Sequence, residues 1–189
     1  MPSSERKNET EGRIAMLERE QVAPEVGAIY DVLLQQRGVV PNMFKTLANI
    51  PAMAQGVAAF LKPIVGDGAL PGWYKELVAV RVCYLHRFEY GIKAHSLSAK
   101  QKGAKDEQIN AMEDFEQGPF TEAEKLGFRY ADRLHRSPAE IDDAFYAEVK
   151  TVYKDLQILE LTAVAAAFEF FPRFVDALRI PITPPYKTT

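Results

Sequence analysis

The stretch "KELVAVRVCYLHRFEYGIKAHSLSAK", residues 75–100, decides how this sequence is interpreted. Its apolar side chains repeat with the period of an α-helix, which predicts a helical element built into a core. The stretch forms either two helices with a tight joint or one long helix bent at Gly91. It also holds two of the chain's three histidines and its only cysteine. So many groups able to exchange protons indicate a site as well as a structural element.

Helical periodicity extends through the rest of the chain, without a convincing alternation of period two. Two capping-box patterns, at Thr121 with Glu124 and at Ser137 with Glu140, predict the start of two further helices. The predicted fold class is therefore all-α, with about eight helices. Their expected bounds are about 24–36, 42–50, 52–65, 72–86, 88–102, 105–112, 121–135, 138–151 and 156–171, where 72–86 and 88–102 are either two helices or one bent helix.

Length and composition predict one globular domain spanning residues 1–189. The chain has the usual length of a single domain, and no linker or low-complexity segment divides it. Its hydrophobic fraction of 47% is sufficient for a sizeable core. Residues 1–11 are polar and are expected to be flexible. The 23 basic and 26 acidic side chains nearly balance, so the chain lacks the electrostatic footprint of a nucleic-acid or membrane-surface partner.

Three features predict a cytoplasmic protein without a membrane partner. The N-terminal sequence "MPSSERKNETEGRIAM" lacks the apolar core of a secretion signal. The longest apolar segment, "LQILELTAVAAAFEFF", is interrupted by Glu160 and Glu169 and is too short to span a bilayer. A single cysteine cannot form an internal disulfide, which suits a reducing compartment.

Glu76 and His95 are the strongest candidates for chemistry. They lie in the two halves of the opening stretch and meet if these halves pack antiparallel or at a bend. A buried carboxylate beside an imidazole is a proton-transfer unit, because burial and ion pairing act in opposite directions on which partner holds the proton. The alternative is a surface glutamate and a structurally satisfied histidine.

The longer segment "ELVAVRVCYLHRFEYGIKAHSLSAKQKGAKDEQINAM" resembles the signature of the carboxymuconolactone decarboxylase and alkylhydroperoxidase D-like (AhpD-like) family. That signature reads Glu, eleven residues, Cys-x-x-Cys, three residues, His. Glu76 and His95 match its glutamate and histidine at the full spacing. The resemblance covers roughly residues 38–182 and implies an AhpD-like helical bundle that assembles into a homo-oligomer, a trimer or hexamer. Excess apolar surface on the helix at 158–171 also favours assembly.

The signature's two cysteines are absent, and Phe88 and Gly91 stand in their places. A thiol peroxidase needs a thiolate that attacks the peroxide and usually a second thiol that resolves the sulfenic acid. "FEYGIKAH" resembles instead the cysteine-free branch of the family, whose members resemble the decarboxylase and related enzymes that act on small acids or lactones.

The resemblance therefore implies a decarboxylase-like enzyme with a non-redox site for a small organic acid or lactone. His95 is the expected general acid or base, and Glu76 orients it or shares its proton. Glu89 could assist proton transfer and Tyr90 could position a carboxylate, which makes them secondary candidates. Two alternatives stay open: a thiol peroxidase, and a binding homologue without catalytic activity.

The remaining candidates have simpler explanations, and neither a cofactor nor a metal is predicted. Cys83 lies in an apolar run, where a lone cysteine is usually a small buried hydrophobe. His86 and Glu89 have a spacing that two metal ligands can use, but two ligands without a clear third are poor evidence for zinc or iron. His135 falls at a helix C-terminus, where the helix dipole favours a cation.

Overall fold

The computed structural model describes residues 12–184, and every regular element in this range is helical, which confirms the all-α class. Residues 1–11, predicted to be flexible, lie outside the described range. Three short 3-10 turns cover Arg19–Gln21, Phe115–Gln117 and Pro138–Glu140. The α-helices are α1 Pro24–Arg37, α2 Asn42–Leu47, α3 Pro51–Val65, α4 Gly72–Leu85, α5 Glu89–Gln101, α6 Asp106–Asn110, α7 Glu122–Arg136, α8 Asp143–Val152 and α9 Asp155–Ala177.

The described residues divide into two compact units, and the first combines residues 12–58 with residues 174–184. Hydrogen bonds join distant segments within this unit. The backbone N–H of Asn42 donates to the Thr183 hydroxyl at 3.0 Å, and its side-chain amide donates to the Pro181 carbonyl at 3.0 Å. The predicted single domain stays a prediction.

The second unit, Ala59–Arg173, is built on α4 and contains every residue of the opening stretch. α4 is apolar almost all round, which is typical of a helix buried on every side. It packs mainly against α5 and α7. Its fully buried apolar side chains are Leu77, Val78, Ala79, Val80, Val82 and Cys83.

A buried ion pair explains one of the two glutamates that interrupt the long apolar segment. Lys75 is 1% exposed, and its ammonium donates to the Pro63 carbonyl and to Glu160 Oε2, both at 3.2 Å. Glu160 also accepts the backbone N–H groups of Ala69 and Leu70 at 2.9 Å. Burial opposes ionisation of Glu160, but these hydrogen bonds outweigh it and lower the pKa of the carboxyl group. Glu160 therefore fixes the loop before α4.

The joint between α4 and α5 is a tight turn at Arg87. Arg87 has a φ of 54°, in the left-handed region where glycine is more common. Its N–H donates to the Tyr84 carbonyl at 2.9 Å, and the N–H of Phe88 donates to the Cys83 carbonyl at 2.8 Å. These two bonds form a Schellman cap, which ends α4 and lets α5 start afresh. Of the two predicted arrangements, two helices with a tight joint is confirmed.

Gly91 lies inside α5, where it permits a close approach of side chains. A Cβ added at this position would lie under 3.0 Å from both the Phe88 ring and Cys83 Sγ. Glycine here lets α5 pack directly onto the end of α4.

The helix predicted over 138–151 begins later than expected. Ser137 precedes only a short 3-10 turn, and α8 starts after Asp142, whose carboxylate accepts a backbone N–H at 2.8 Å. The expected capping box fails because Arg136 binds the Glu140 carboxylate, with the shortest N–O distance 2.6 Å. That carboxylate is the group that would have accepted the N–H of Ser137.

The last helix, α9, is longer than the predicted 156–171 because it continues through Pro172. A proline removes one backbone hydrogen bond, but the apolar pattern persists beyond it, and both Phe171 and Val175 are buried. Across residues 12–184, no helix combines the length and the apolar character needed to cross a membrane.

We expect Gly91→Ala to destabilise the protein, because the new methyl group overlaps Phe88 and Cys83. Overpacking costs about 1–3 kcal/mol against a helix-propensity gain of about 1 kcal/mol, so the expected net loss is up to about 2 kcal/mol. The matched control is Gly56→Ala in α3, where an added Cβ meets nothing within 4 Å. That change should stabilise by up to about 1 kcal/mol. Urea unfolding of both variants measures the difference, and equal effects would refute the packing role of Gly91.

Candidate active site

The centre of the candidate site is the carboxylate of Glu76, which is fully buried in α4. The four residues that follow it along the helix, residues 77–80, are apolar and equally buried. An ionised carboxylate in such a place requires charged or hydrogen-bonding partners, because taking it out of water costs several kcal/mol. Two partners come from the helix that follows the joint.

His95 on α5 is the first partner. Its Nδ1 lies 2.6 Å from Glu76 Oε2. The tight joint folds α5 back along α4, which brings together two residues separated by nineteen positions. The structure therefore places the two strongest sequence candidates in hydrogen-bond contact, the arrangement expected if the two halves of the stretch pack together at a bend.

Lys102 is the second partner, and the sequence analysis missed it. Its ammonium donates to Glu76 Oε1 at 2.5 Å and to the Val65 carbonyl at 2.6 Å. The side chain is 33% exposed, so it connects the buried carboxylate to the surface. Lys102 follows His95 by seven residues, a spacing that puts both on the same face of a helix. This spacing is the signal that could have identified it.

The His95 ring is also in contact with an aromatic side chain. Phe168 of α9 lies edge-on to the imidazole, with ring centroids 4.5 Å apart and an interplanar angle of 89°. Among residues 12–184, Nε2 has no hydrogen-bond partner. The His95 side chain is 14% exposed. Nε2 is therefore the ring atom available to a substrate.

The two secondary candidates lie in different environments. Glu89 is 65% exposed and pairs with Lys93 one helical turn later at 2.6 Å, so the structure places it on the surface and not beside Glu76. Tyr90 is buried, and its ring stacks on Phe88 with centroids 5.8 Å apart. Tyr90 thus helps to pack the space next to the joint.

The positions of the missing cysteines are filled by packing. Phe88 is 2% exposed, and Gly91 sits against it and against Cys83. Cys83 is itself fully buried. Burial, and to a lesser degree the negative charge of Glu76, raise the pKa of the Cys83 thiol far above its usual range. The thiol is therefore neutral at physiological pH, which is unfavourable for nucleophilic attack.

A second group of ionisable side chains gathers His86, His135 and Glu169. His86 Nε2 lies 2.8 Å from Glu169 Oε2, and His135 Nδ1 lies 2.7 Å from Glu169 Oε1. Burial opposes ionisation of Glu169, but hydrogen bonds from His135, Arg173 and His86 lower the pKa of its carboxyl group. His86 therefore pairs with residues distant in sequence and not with Glu89, while His135 lies in the last turn of α7 as expected.

Two cavities lie elsewhere in the second unit. One of about 250 Å³ contains four arginines and four acidic side chains, and Arg81 is tied to Asp132 through two bonds of 2.7 and 2.8 Å. The other, of about 470 Å³, is lined by residues 154–157 and Ala69. His95 lines neither of them. In the cavity of about 250 Å³, the negative charges of the four acidic side chains offset the positive charges of the four arginines, which makes it a poor site for an anion.

Comparison with known proteins identifies similar sequences and similar folds. Residues 51–132 match the model of the carboxymuconolactone decarboxylase family. The Escherichia coli protein YnjA is 23% identical over 145 residues, which cover 76% of this chain and 75% of YnjA. A peroxidase-related protein of Ralstonia eutropha with an alkylhydroperoxidase AhpD core superposes with a TM-score of 0.85 at 16% identity, covering 93% of this chain and 94% of the other.

A third neighbour is the debrominase Bmp8, solved in complex with 2,3,4-tribromopyrrole. It superposes with a TM-score of 0.82 at 22% identity and covers 92% of this chain and 93% of its own. The chain therefore contains a segment that matches the carboxymuconolactone decarboxylase family model, and its fold is the AhpD-like helical fold. The family and the proteins that share its fold include enzymes.

We expect Cys83 to react slowly with iodoacetamide in the native protein, because its thiol is buried and protonated. The rate should be on the order of a hundredfold lower than in guanidinium chloride, where the thiol is free. Mass spectrometry of the alkylated fraction over time measures both rates. The protein should also consume alkyl hydroperoxide with added dithiothreitol no faster than Cys83→Ser. Rapid consumption that disappears in Cys83→Ser would instead support a one-cysteine peroxidase.

Proposed function

We propose that this protein is a non-redox enzyme that transfers a proton to or from a small organic acid or lactone. The decarboxylation of such an acid, or a related proton transfer, is the leading reaction. The proposal is carried by one observation: the buried Glu76 carboxylate lies between His95 at 2.6 Å and Lys102 at 2.5 Å. A carboxylate held in this way orients an imidazole for general acid–base catalysis.

The three side chains divide the work of proton transfer. Glu76 accepts the Nδ1–H of His95, which leaves Nε2 as the atom that exchanges a proton with the substrate. Lys102 keeps the carboxylate ionised, because an adjacent ammonium favours the charged form. The T-shaped contact with Phe168 restricts the orientation of the His95 ring. In the decarboxylation of an acid, the carbon–carbon bond electrons stay on the substrate as carbon dioxide leaves, and His95 Nε2–H protonates the resulting carbanion or enolate.

The charge of the site favours an anionic substrate. Among these three side chains, the Glu76 carboxylate and the Lys102 ammonium cancel, so the three together are neutral when His95 is neutral and carry one positive charge when His95 is protonated. An organic acid approaching the protonated imidazole meets this positive charge in a partly desolvated place, where electrostatic attraction is stronger than in water. The protein with a protonated His95 should therefore bind a carboxylate ligand more tightly than the protein with a neutral His95.

Thiol chemistry is the weaker candidate. The peroxidase-related neighbours and the debrominase have the same fold, but likeness of fold does not transfer an activity. Phe88 and Gly91 occupy the two motif positions, and the remaining thiol of Cys83 is fully buried. The ligand of the debrominase, a small ring compound, supports a substrate of similar size.

We also infer that the protein forms a homo-oligomer and acts in the cytoplasm. Exposed apolar side chains on α9 support the assembly, since Leu156 is 67% and Leu159 65% exposed. Such residues are usually covered by a partner surface. The near balance of acidic and basic side chains gives no support for nucleic acid as a partner.

We expect His95→Ala, Glu76→Gln and Lys102→Met each to reduce turnover, because each removes one member of the proton-transfer unit. A substrate is first found by a thermal-shift screen of small carboxylic acids and lactones. The loss in kcat should be about a hundredfold to ten-thousandfold for His95→Ala, the range typical of general acid–base catalysis. Glu107→Gln and Lys105→Met on the surface nearby, where the two side chains are 64% and 73% exposed, are the matched controls.

The outcome separates an enzyme from a binding protein. If ligands found in the screen bind but are never turned over, and His95→Ala binds them equally well, the catalytic assignment fails. Full activity of both His95→Ala and Glu76→Gln would also contradict the proposal.

A further inference from the structure

The cluster of His86, His135 and Glu169 is not used by the proposed reaction, and its composition suits a different task. We propose that these three side chains form a binding site for a divalent transition-metal ion, with zinc as the best match. The site is separate from the Glu76 carboxylate, and the proposal does not depend on the proposed activity.

The three ligands converge from three different helices. His86 caps α4, His135 lies in the last turn of α7, and Glu169 lies on α9. One ligand atom from each lies within 4.8 Å of the other two. Zinc bonds to nitrogen and oxygen of about 2.0–2.2 Å put ligand atoms around a tetrahedral ion about 3.3–3.6 Å apart. The present 2.7 and 2.8 Å contacts would therefore widen by less than about 1 Å on binding.

The chemistry of the donor set selects the class of ion. Two imidazole nitrogens and one carboxylate oxygen form a ligand set that zinc uses in catalytic sites, with a fourth position for water. Imidazole also suits copper, iron and nickel, whereas magnesium and calcium prefer oxygen ligands alone. The three side chains are 14–23% exposed, so an ion would be partly shielded and still within reach of solvent.

The surrounding backbone favours a positive charge. His86 and His135 lie at the C-terminal ends of α4 and α7, where each helix dipole places partial negative charge. Two such ends converge on the same point, since the two imidazole rings are in edge contact with centroids 4.6 Å apart. The fold therefore brings the two nitrogen ligands together before any ion arrives.

Arg173 acts on the cluster in two opposing ways. Its guanidinium donates to Glu169 Oε2 at 3.0 Å, and a hydrogen bond of this kind orients a carboxylate that binds a metal. Its positive charge opposes a cation. The Arg173 side chain is 67% exposed, so water screens much of this repulsion. Arg173→Gln should consequently change metal affinity less than the loss of any of the three ligands.

The test is a titration of the metal-free protein with zinc chloride by isothermal titration calorimetry. We expect one ion per chain with a dissociation constant in the micromolar range or tighter. Loss of a residue that only orients a metal ligand typically weakens metal binding about tenfold to hundredfold. His86→Asn, His135→Asn and Glu169→Gln remove a ligand itself, so each should raise the dissociation constant by more than that. His95→Gln is the matched control, because it removes the remaining histidine of the chain and leaves the cluster intact.

A second readout does not depend on the variants folding. Cobalt(II) added to the metal-free wild-type protein should give the intense visible bands of a tetrahedral site, and one equivalent of zinc should abolish them. Circular dichroism verifies the fold of each variant. The proposal is overturned if the wild-type protein shows no heat of zinc binding in the calorimeter and no visible absorption bands with cobalt(II). It is equally overturned if His95→Gln loses binding while well-folded His86→Asn, His135→Asn and Glu169→Gln retain it.

Discussion

A buried negative charge is the constraint on which the rest of the second unit depends. Glu76 is fully buried in α4, and an unpaired carboxylate there would cost several kcal/mol. Two polar partners of Glu76, His95 and Lys102, come from α5 and its C-terminal cap, so α4 and α5 lie side by side. The left-handed turn at Arg87 and the missing side chain at Gly91 allow this close return. The buried charge of Glu76 therefore constrains both the packing of α5 against α4 and the geometry of the candidate site.

The same packing explains why the fold of this chain does not by itself imply a thiol peroxidase. The space next to the joint is occupied by the Phe88 ring, the Tyr90 ring and the Cys83 side chain, all buried. Two facing thiols need room for a reacting peroxide and a path to the surface, and this space is filled with apolar atoms. What remains of the family signature is its glutamate and its histidine, the pair on which the proposed proton transfer rests.

Much of this arrangement is readable from the sequence, and the reasons for success and failure are physical. Helical periodicity, together with the family spacing, identifies the all-α class and the Glu76–His95 contact, because both are encoded in local pattern. Lys102 was missed because a lysine at a helix end is ordinarily a surface residue. The cluster around Glu169 was missed because its members are far apart in sequence, and only tertiary packing brings them together. The start of α8 was mispredicted because Arg136 competes for the Glu140 carboxylate, which a capping pattern alone does not reveal.

The protonation of the His95 ring tests the central claim most directly. Nitrogen-15 NMR of the imidazole distinguishes which nitrogen carries a proton, and comparison with His95→Gln assigns the signals. If Glu76 is an ionised acceptor held by Lys102, Nδ1 should carry a proton at neutral pH in the wild-type protein. In Glu76→Gln, this preference for Nδ1 should be lost. A neutral His95 with its proton on Nε2 and a bare Nδ1 facing Glu76 would contradict the account, because the carboxyl group would then hold the shared proton.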